Sequence, residues 1–250
     1  MINKDKLIDS LRYRLFWLKH GSLFLRRGDF RVQRVKLAGQ SVQLSVPPGE
    51  EKMMDYEFQN IFYGDCYGLA KIEGKVENIL DVGSNLGFFS LAARSRFPEA
   101  RIHSYEPNPK VQNHLQHNTR AFGIEVRPEA VGGDDGWIEM QLNEGSLFAT
   151  AVNSAAGKIK KTAFATIVER VGGSVDLLKL DCEGAEWELF ECKEVWRKIN
   201  RVTMEYHLWA KPEMDALALV KIVKELGFRI TCLEEAPELK WGVLQAAKKI

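Results

Sequence analysis

A chain of 250 residues, 45% hydrophobic and 28% charged, is long enough for one sizeable core, and its composition excludes a disordered or fibrous polypeptide. Its net charge of only +1 hides an asymmetry: residues 1–36 hold ten lysines and arginines against three aspartates, a net +7, which leaves −6 on the remainder. Four cysteines, Cys66, Cys182, Cys192 and Cys232, fit neither a CxxC zinc pattern nor a disulfide framework, so a reducing, cytoplasmic setting is expected.

The first segment, KDKLIDSLRYRLFWLKHGSLFLRR, places Leu7, Leu11, Leu15 and Leu18 at helical spacing, with Phe16 and Trp17 alongside. It predicts an amphipathic helix whose leucine face covers the edge of the domain, with a membrane surface or a partner as the other destinations. Charges inside its apolar stretch argue against a secretory signal. Nowhere does the chain approach the roughly 18 uninterrupted apolar residues that span a bilayer. The basic excess of this arm points to an anionic contact. RVKLAGQSVQLSVPPG then alternates around AGQ and predicts a β-hairpin capped by Pro47-Pro48. DYEFQNIFYGDCYGLA predicts a helix followed by an aromatic loop. On this reading residues 1–70 are a basic N-terminal cap and residues 71–250 the main domain.

From residue 75 apolar runs alternate with helix-like segments: NILDVG, LGFFSLAARSRF, RIHSYEP, PKVQNHLQHNTRAFG and EVRPEAVG, then VDLLKLD, GAEWELFECKEVW, INRVTMEYH and EMDALALVKIVKELG. This is the βαβ signature of an α/β fold, a parallel sheet with helices on both faces. Between the two halves, WIEMQL through KKTAFATIVERVG alternates like short antiparallel strands followed by a brief helix, an insertion before the fourth main strand. The end, FRITCLEEAPELKWGVLQAAKK, pairs two strand-like runs around a charged, proline-containing loop and predicts an antiparallel hairpin on the sheet edge.

The stretch ILDVGSNLGFFSLAA carries the most specific local signal. Asp81 ends a strand, and Gly83 and Gly87 flank the turn that follows. In open α/β sheets ligands sit outside the carboxyl ends of the strands, and glycines there let a ligand approach the backbone. A dinucleotide fingerprint needs glycine where this loop has Asn85, and a Walker A loop needs G-K-[ST] where it has Gly87-Phe88-Phe89. The loop therefore suits a nucleoside without a pyrophosphate. RIHSYEPNP ends in Glu106, twenty-five positions after Asp81, where an acid can accept both hydroxyls of a ribose.

Taken in order, DVGSNLGFFSL, YEPNP, EAVGG, LLKLDCEGAEWELF and MEYH resemble the FkbM family of class I S-adenosylmethionine-dependent methyltransferases, over roughly residues 40–235. The resemblance implies a Rossmann-like α/β fold with a mostly parallel seven-stranded sheet and an antiparallel last strand, extended here by the N-terminal helix and hairpin. It implies that Asp81, Gly83, Ser84, Asn85 and Gly87 surround the methionine portion of S-adenosyl-L-methionine. It places Glu106 on the ribose, with Pro107 and Asn108 shaping the adenine side and Ala130 and Val131 bordering the adenine. Tyr67 matches a tyrosine often found before the core and closes over the cofactor. Ser84 stands where the family commonly has alanine. TAFATIVERVG departs further, from a T-L-D-x-L pattern, and no functional residue is carried over from it.

Two later strands supply chemistry. Lys179 and Asp181 share a strand face in a strand that is otherwise buried, and buried charges are costly unless paired. One reading is an ion-pair network bracing the strand end, with Glu186 an acid in the first turn of the next helix. Asp181, beside Glu183, also ends a strand on the rim where the cofactor's methyl group points. RVTMEYHLW puts Glu205 and His207 on one face of the following strand. His207, with a pKa near neutrality, is the expected general base, Glu205 orients its imidazole, and Asp181 is the competing base. Asp181, Glu183, Glu205 and His207 are also divalent-metal donors, but sequence alone does not bring side chains together, so a metal is left unassigned.

The expected reaction is O-methylation of a sugar, glycan or natural-product small molecule. The basic arm recruits an anionic acceptor, and the N-terminal helix offers peripheral membrane contact. A nucleic-acid methyltransferase has only the arm in its favour and lacks an N-P-P-[YF] or D-P-P-Y tetrad, so no stable nucleic-acid partner is expected. A cofactor-binding module without turnover is disfavoured by the acids on the rim. A nicotinamide dehydrogenase lacks the dinucleotide loop. The acceptor's identity and the oligomeric state are not legible in the sequence.

Overall fold

The computed structural model describes residues 4–19, 34–37, 39–142, 149–154 and 156–248. Helix α1 (Lys4–Lys19), the hairpin of β1 (Arg34–Leu37) and β2 (Gln40–Gln43), and α2 (Glu51–Phe62) come first. The first half of the sheet follows: β3 (Asn78–Val82), α3 (Phe88–Arg96), β4 (Arg101–Tyr105), α4 (Gln112–Thr119) and β5 (Glu125–Arg127). The insertion comprises β6 (Ala130–Gly132), β7 (Gly136–Leu142), β8 (Ala149–Asn153), β9 (Ile159–Ala163) and α5 (Phe164–Val171). The second half is β10 (Leu177–Leu180), α6 (Glu186–Leu189), α7 (Lys193–Trp196), β11 (Arg201–His207), α8 (Ala216–Glu225), β12 (Arg229–Ala236) and β13 (Trp241–Ala247).

The central sheet has the order β12-β13-β11-β10-β3-β4-β5. β3 pairs in parallel with both β4 and β10, so the chain winds outward one way through β4 and β5 and then the other way from β10. That reversal creates the crevice at the carboxyl ends of β3 and β10 in which ligands of such sheets bind. The expected seven strands are present, and β13 alone runs antiparallel. It slots between β11 and β12, pairing His207 with Trp241 and Glu205 with Val243, so β12 and not the last strand forms the edge. The insertion forms a separate sheet, β6-β9-β7-β8, with β7 antiparallel to β8 and β9.

Side-chain alternation along β3 divides the core into two layers. Ile79 packs with Phe58, Phe62, Phe88 and Leu91 on one face, whereas Leu80 and Val82 pack with Ile167, Leu180, Trp196 and Met204 on the other. Met54 and Phe58 of α2 and the loop residue Tyr67 belong to the first layer, so the N-terminal cap shares its core with the sheet. A reciprocal pair of hydrogen bonds, Ser45 N–H to Asn118 Oδ1 at 2.7 Å and Asn118 Nδ2 to the Ser45 carbonyl at 3.0 Å, fastens the cap to α4.

Helix α1 docks by a face other than the expected one. Leu11, Leu15 and Leu18 are 58%, 55% and 57% exposed, while Tyr13 is buried. The Tyr13 hydroxyl donates to Gln59 Oε1 at 2.7 Å, and the Tyr13 and Phe16 rings meet Tyr63 at 4.8 and 5.3 Å. Aromatic rings carry more burial energy than leucine, and tyrosine adds a polar tip that finds a partner. The side chains of Leu7 and Trp17 lie outside the described residues. No described helix is long and apolar enough to cross a membrane.

Candidate active site

The turn after β3 is built for close packing. Gly83 has φ 77°, and a Cβ there would lie 1.6 Å from the Asp181 carbonyl oxygen, so only glycine lets the β3 loop sit against the end of β10. Ser84 Oγ donates to the Asp81 carbonyl at 2.8 Å, and the Gly87 amide to the Ser84 carbonyl at 2.7 Å. Asp81 is fully buried and receives a 2.6 Å hydrogen bond from Ser90. Asp81, Ser84 and Gly87, expected around the methionine portion, therefore shape the turn and do not line the cavity beside it. Asn85 does line it, with φ 45°. Its Oδ1 is buried without a hydrogen-bond partner.

Lys179 confirms the bracing role read from its sequence position. Its buried ammonium donates to the Gly83 carbonyl and stands 3.5 Å from both Asp81 Oδ1 and Asp181 Oδ2. Burial pulls the lysine pKa down, but Asp181 and Asp81 more than offset this and hold it firmly protonated.

A cavity of about 450 Å³ opens at the crevice, lined by Gly83, Asn85, Glu106, Pro107, Asn108, Ala130, Val131, Asp181 and Glu183 among the residues singled out above. This is within the roughly 300–1,000 Å³ of small-molecule sites. Glu106 sits at the end of β4, where its carboxylate accepts the amides of Asn85 and Asn108, each at 2.8 Å. Burial raises its pKa to about 6 despite these two bonds. Ile138 and Met140 of the insertion complete the wall next to Ala130 and Val131.

A second cavity of about 770 Å³ adjoins the first; Glu57, Asp181, Glu183 and Trp209 line both. Its other walls include Tyr56, Tyr67, Trp241, Glu205 and His207. Tyr67, expected over the cofactor, lies on this side, where its hydroxyl donates to Asp181 Oδ2 at 3.0 Å. Glu57 and Trp209 were not singled out in the sequence. Glu57 is pushed up to about 8, first by burial and then by Asp181; Glu183 reaches about 8 for the same first reason. Glu183 also has φ 53°, a conformation that costs a non-glycine residue about 1–3 kcal/mol and gathers at functional sites.

His207 is held on its Nδ1 side by an acid other than the expected Glu205. Its Nδ1 and its backbone amide both reach Glu186 Oε1 at 2.9 Å, so the buried Glu186 orients the ring, not Glu205. Glu205 Oε1 and Glu183 Oε2 stand 3.6 and 3.7 Å from Nε2. Burial alone would lower the imidazole pKa, but Glu186 and Glu205 push it up to about 11. This favours the imidazolium over the neutral ring that a general base requires.

This geometry is a nucleoside-sized cavity at the switch point of a doubly wound sheet, joined to a second cavity by acids. Comparison with known proteins agrees. Residues 81–230 match the methyltransferase FkbM domain. The chain belongs to the FkbM methyltransferase family. It is therefore an S-adenosylmethionine-dependent methyltransferase. Methyltransferase sdnD of Sordaria araneosa is 25% identical over 219 residues, covering 70% of this chain and 82% of its own. Methyltransferase 1 of Beauveria bassiana is 23% identical over 204 residues, covering 70% and 81%. Among solved structures, methyltransferase FkbM from Methylobacillus flagellatus has a TM-score of 0.51 at 15% identity, over 79% of this chain and 52% of that one. Magnesium protoporphyrin IX methyltransferase from Synechocystis, solved with bound SAM, gives 0.51 at 12% identity over 82% and 86%. At such identities the two structures speak for the fold of this FkbM methyltransferase alone.

Proposed function

We propose that this FkbM methyltransferase moves the methyl group of S-adenosylmethionine to a hydroxyl oxygen of a sugar, glycan or natural-product small molecule. The observation that carries the reading is the wall of Glu57, Asp181 and Glu183 between the two cavities. It lets a donor in one meet an acceptor in the other. Bound S-adenosylmethionine supplies an electrophilic methyl group on a sulfonium. Glu106 suits the ribose, and Ala130, Val131, Ile138 and Met140 suit the adenine. The unpartnered Asn85 Oδ1 offers an acceptor to the amino-acid end.

Tyr56, Trp209 and Trp241 give the second cavity flat apolar walls for a ring. Its acid-lined walls suit a neutral hydroxylated acceptor, and no stable nucleic-acid partner is proposed. An anionic group recruited by the basic arm would then sit outside the cavity. Asp181 is the better base than His207. Tyr67 holds its Oδ2, and among the described residues none donates to its Oδ1, leaving an oxygen for the proton of the hydroxyl as the C–S bond gives way to the new C–O bond. Four free cysteines fit a reducing, cytoplasmic setting.

Titration with S-adenosylhomocysteine beside NAD⁺, followed by methyl transfer to a panel of glycosides and hydroxylated small molecules, tests the reading. Asp181→Asn should lower turnover at least about tenfold, the low end for a lost general base. Transfer to amines or nucleic acid alone would sink the hydroxyl assignment.

A further inference from the structure

The second cavity holds more acid than its proposed base requires. Glu57, Asp181, Glu183 and Glu205 all line it. Lys179 is shared between Asp81, Asp181 and the Gly83 carbonyl. Asp181, Glu205 and His207 each present a ligand atom, and these atoms lie within 4.8 Å of one another. Donors about 2.0–2.4 Å from a common ion stand at such separations.

The imidazole is the decisive member. His207 is 3% exposed, and its Nδ1 side is fixed by Glu186, itself fully buried. Its Nε2 points at Glu205 and Glu183, but at 3.6 and 3.7 Å neither oxygen is within hydrogen-bond distance. The ring nitrogen is thus aimed between two carboxylates that meet it as long ion pairs, at separations wider than a close hydrogen bond. A carboxylate on the far nitrogen is the arrangement that orients a metal-ligating histidine.

We propose that Asp181, Glu205 and His207 bind one divalent cation of the Mg²⁺ or Mn²⁺ class at the floor of the second cavity. Two carboxylates and one imidazole form a mainly hard donor set, and they leave coordination positions open toward the cavity. The ion takes the place of the Nε2 proton, which passes to solvent, and adds positive charge beside Asp181, which Lys179 meets at 3.5 Å, and beside Glu205. Its role rests on the acceptor assignment above: a hydroxyl on an open position is acidified and gives up its proton more readily.

The full-length chain, stripped with chelator, is titrated with Mn²⁺ and followed by electron paramagnetic resonance. One ion per chain is expected, with affinity reduced at least tenfold in Glu205→Gln and in His207→Gln. Neither residue lines the first cavity, so S-adenosylhomocysteine affinity, measured on the same samples, should stay within about twofold and certify that the variants are folded. If a variant loses that affinity too, Glu205→Asp, which keeps the charge, takes its place and should weaken Mn²⁺ binding measurably. No saturable Mn²⁺ binding by the parent chain, or equal binding by folded variants, overturns the site. Methyl transfer to hydroxyls without Mn²⁺ binding would remove the metal and leave the O-methyl reading standing. Stoichiometric Mn²⁺ without transfer to any hydroxyl would uphold the site and count against the acceptor assignment.

Discussion

Lys179 stands between Asp81 and Asp181, 3.5 Å from each. Removing its charge strands a fully buried aspartate, which typically costs about 3–5 kcal/mol. Lys179→Met should therefore lower the unfolding free energy by that amount, read as a lower urea midpoint at unchanged slope. Glu106 is a different kind of residue. Both its oxygens accept backbone amides, so it holds the Asn85 turn as well as facing the cavity. Glu106→Gln keeps the size but removes the charge and one of the two accepted amide bonds, since its NH2 cannot accept. A charge-assisted hydrogen bond is worth about 1.5–3 kcal/mol, so calorimetry should find S-adenosylhomocysteine bound about 10–100-fold more weakly. Unchanged affinity would move the ribose away from this residue.

Between elements, the join of the β3 turn and the end of β10 tolerates least change. Gly83→Ala puts a methyl group on the Asp181 carbonyl and forces an alanine into positive φ. It should destabilise by at least about 3 kcal/mol and abolish S-adenosylhomocysteine binding, read by thermal melt and calorimetry. Elements also explain what was legible in the sequence. Glu106, Asp181, Glu205 and His207 were found because each lies at or just past the end of a strand, where the pleat fixes which side chains share a face and the topology fixes which end is functional. Glu57 was not, because it sits on α2, and which helical face meets the crevice is decided by packing of Met54 and Phe58 against α3. Glu186 was legible as an acid in a helical first turn but not as the partner of His207, since that contact crosses from α6 to β11. The leucine row of α1 misled for a related reason: spacing marks an apolar stripe, but the aromatic stripe beside it made the better contact.

Across the whole molecule, protonation couples the site to stability. In the metal-free chain Glu57 and Glu183 titrate near 8 against 4.5 for the free side chain, and His207 near 11 against 6.5. In each case the native chain binds protons that the unfolded chain has released, so stability falls as pH rises. The acids act from about pH 4.5 to 8 and the histidine from about 6.5 to 11. Glu57→Gln removes one contribution, so its melting temperature should drop less than the parent's between pH 6 and pH 9. An equal drop would show that Glu57 is ionised throughout. The path of the chain through the sheet has a further consequence, for biogenesis. β11 carries Glu205 and His207, yet one of its edges is closed only by β13, which ends at Ala247. During synthesis the donor crevice between β3 and β10 has all its strands long before that edge is covered. The strands that frame the first cavity are thus made before Trp241, which walls the second and arrives only with β13.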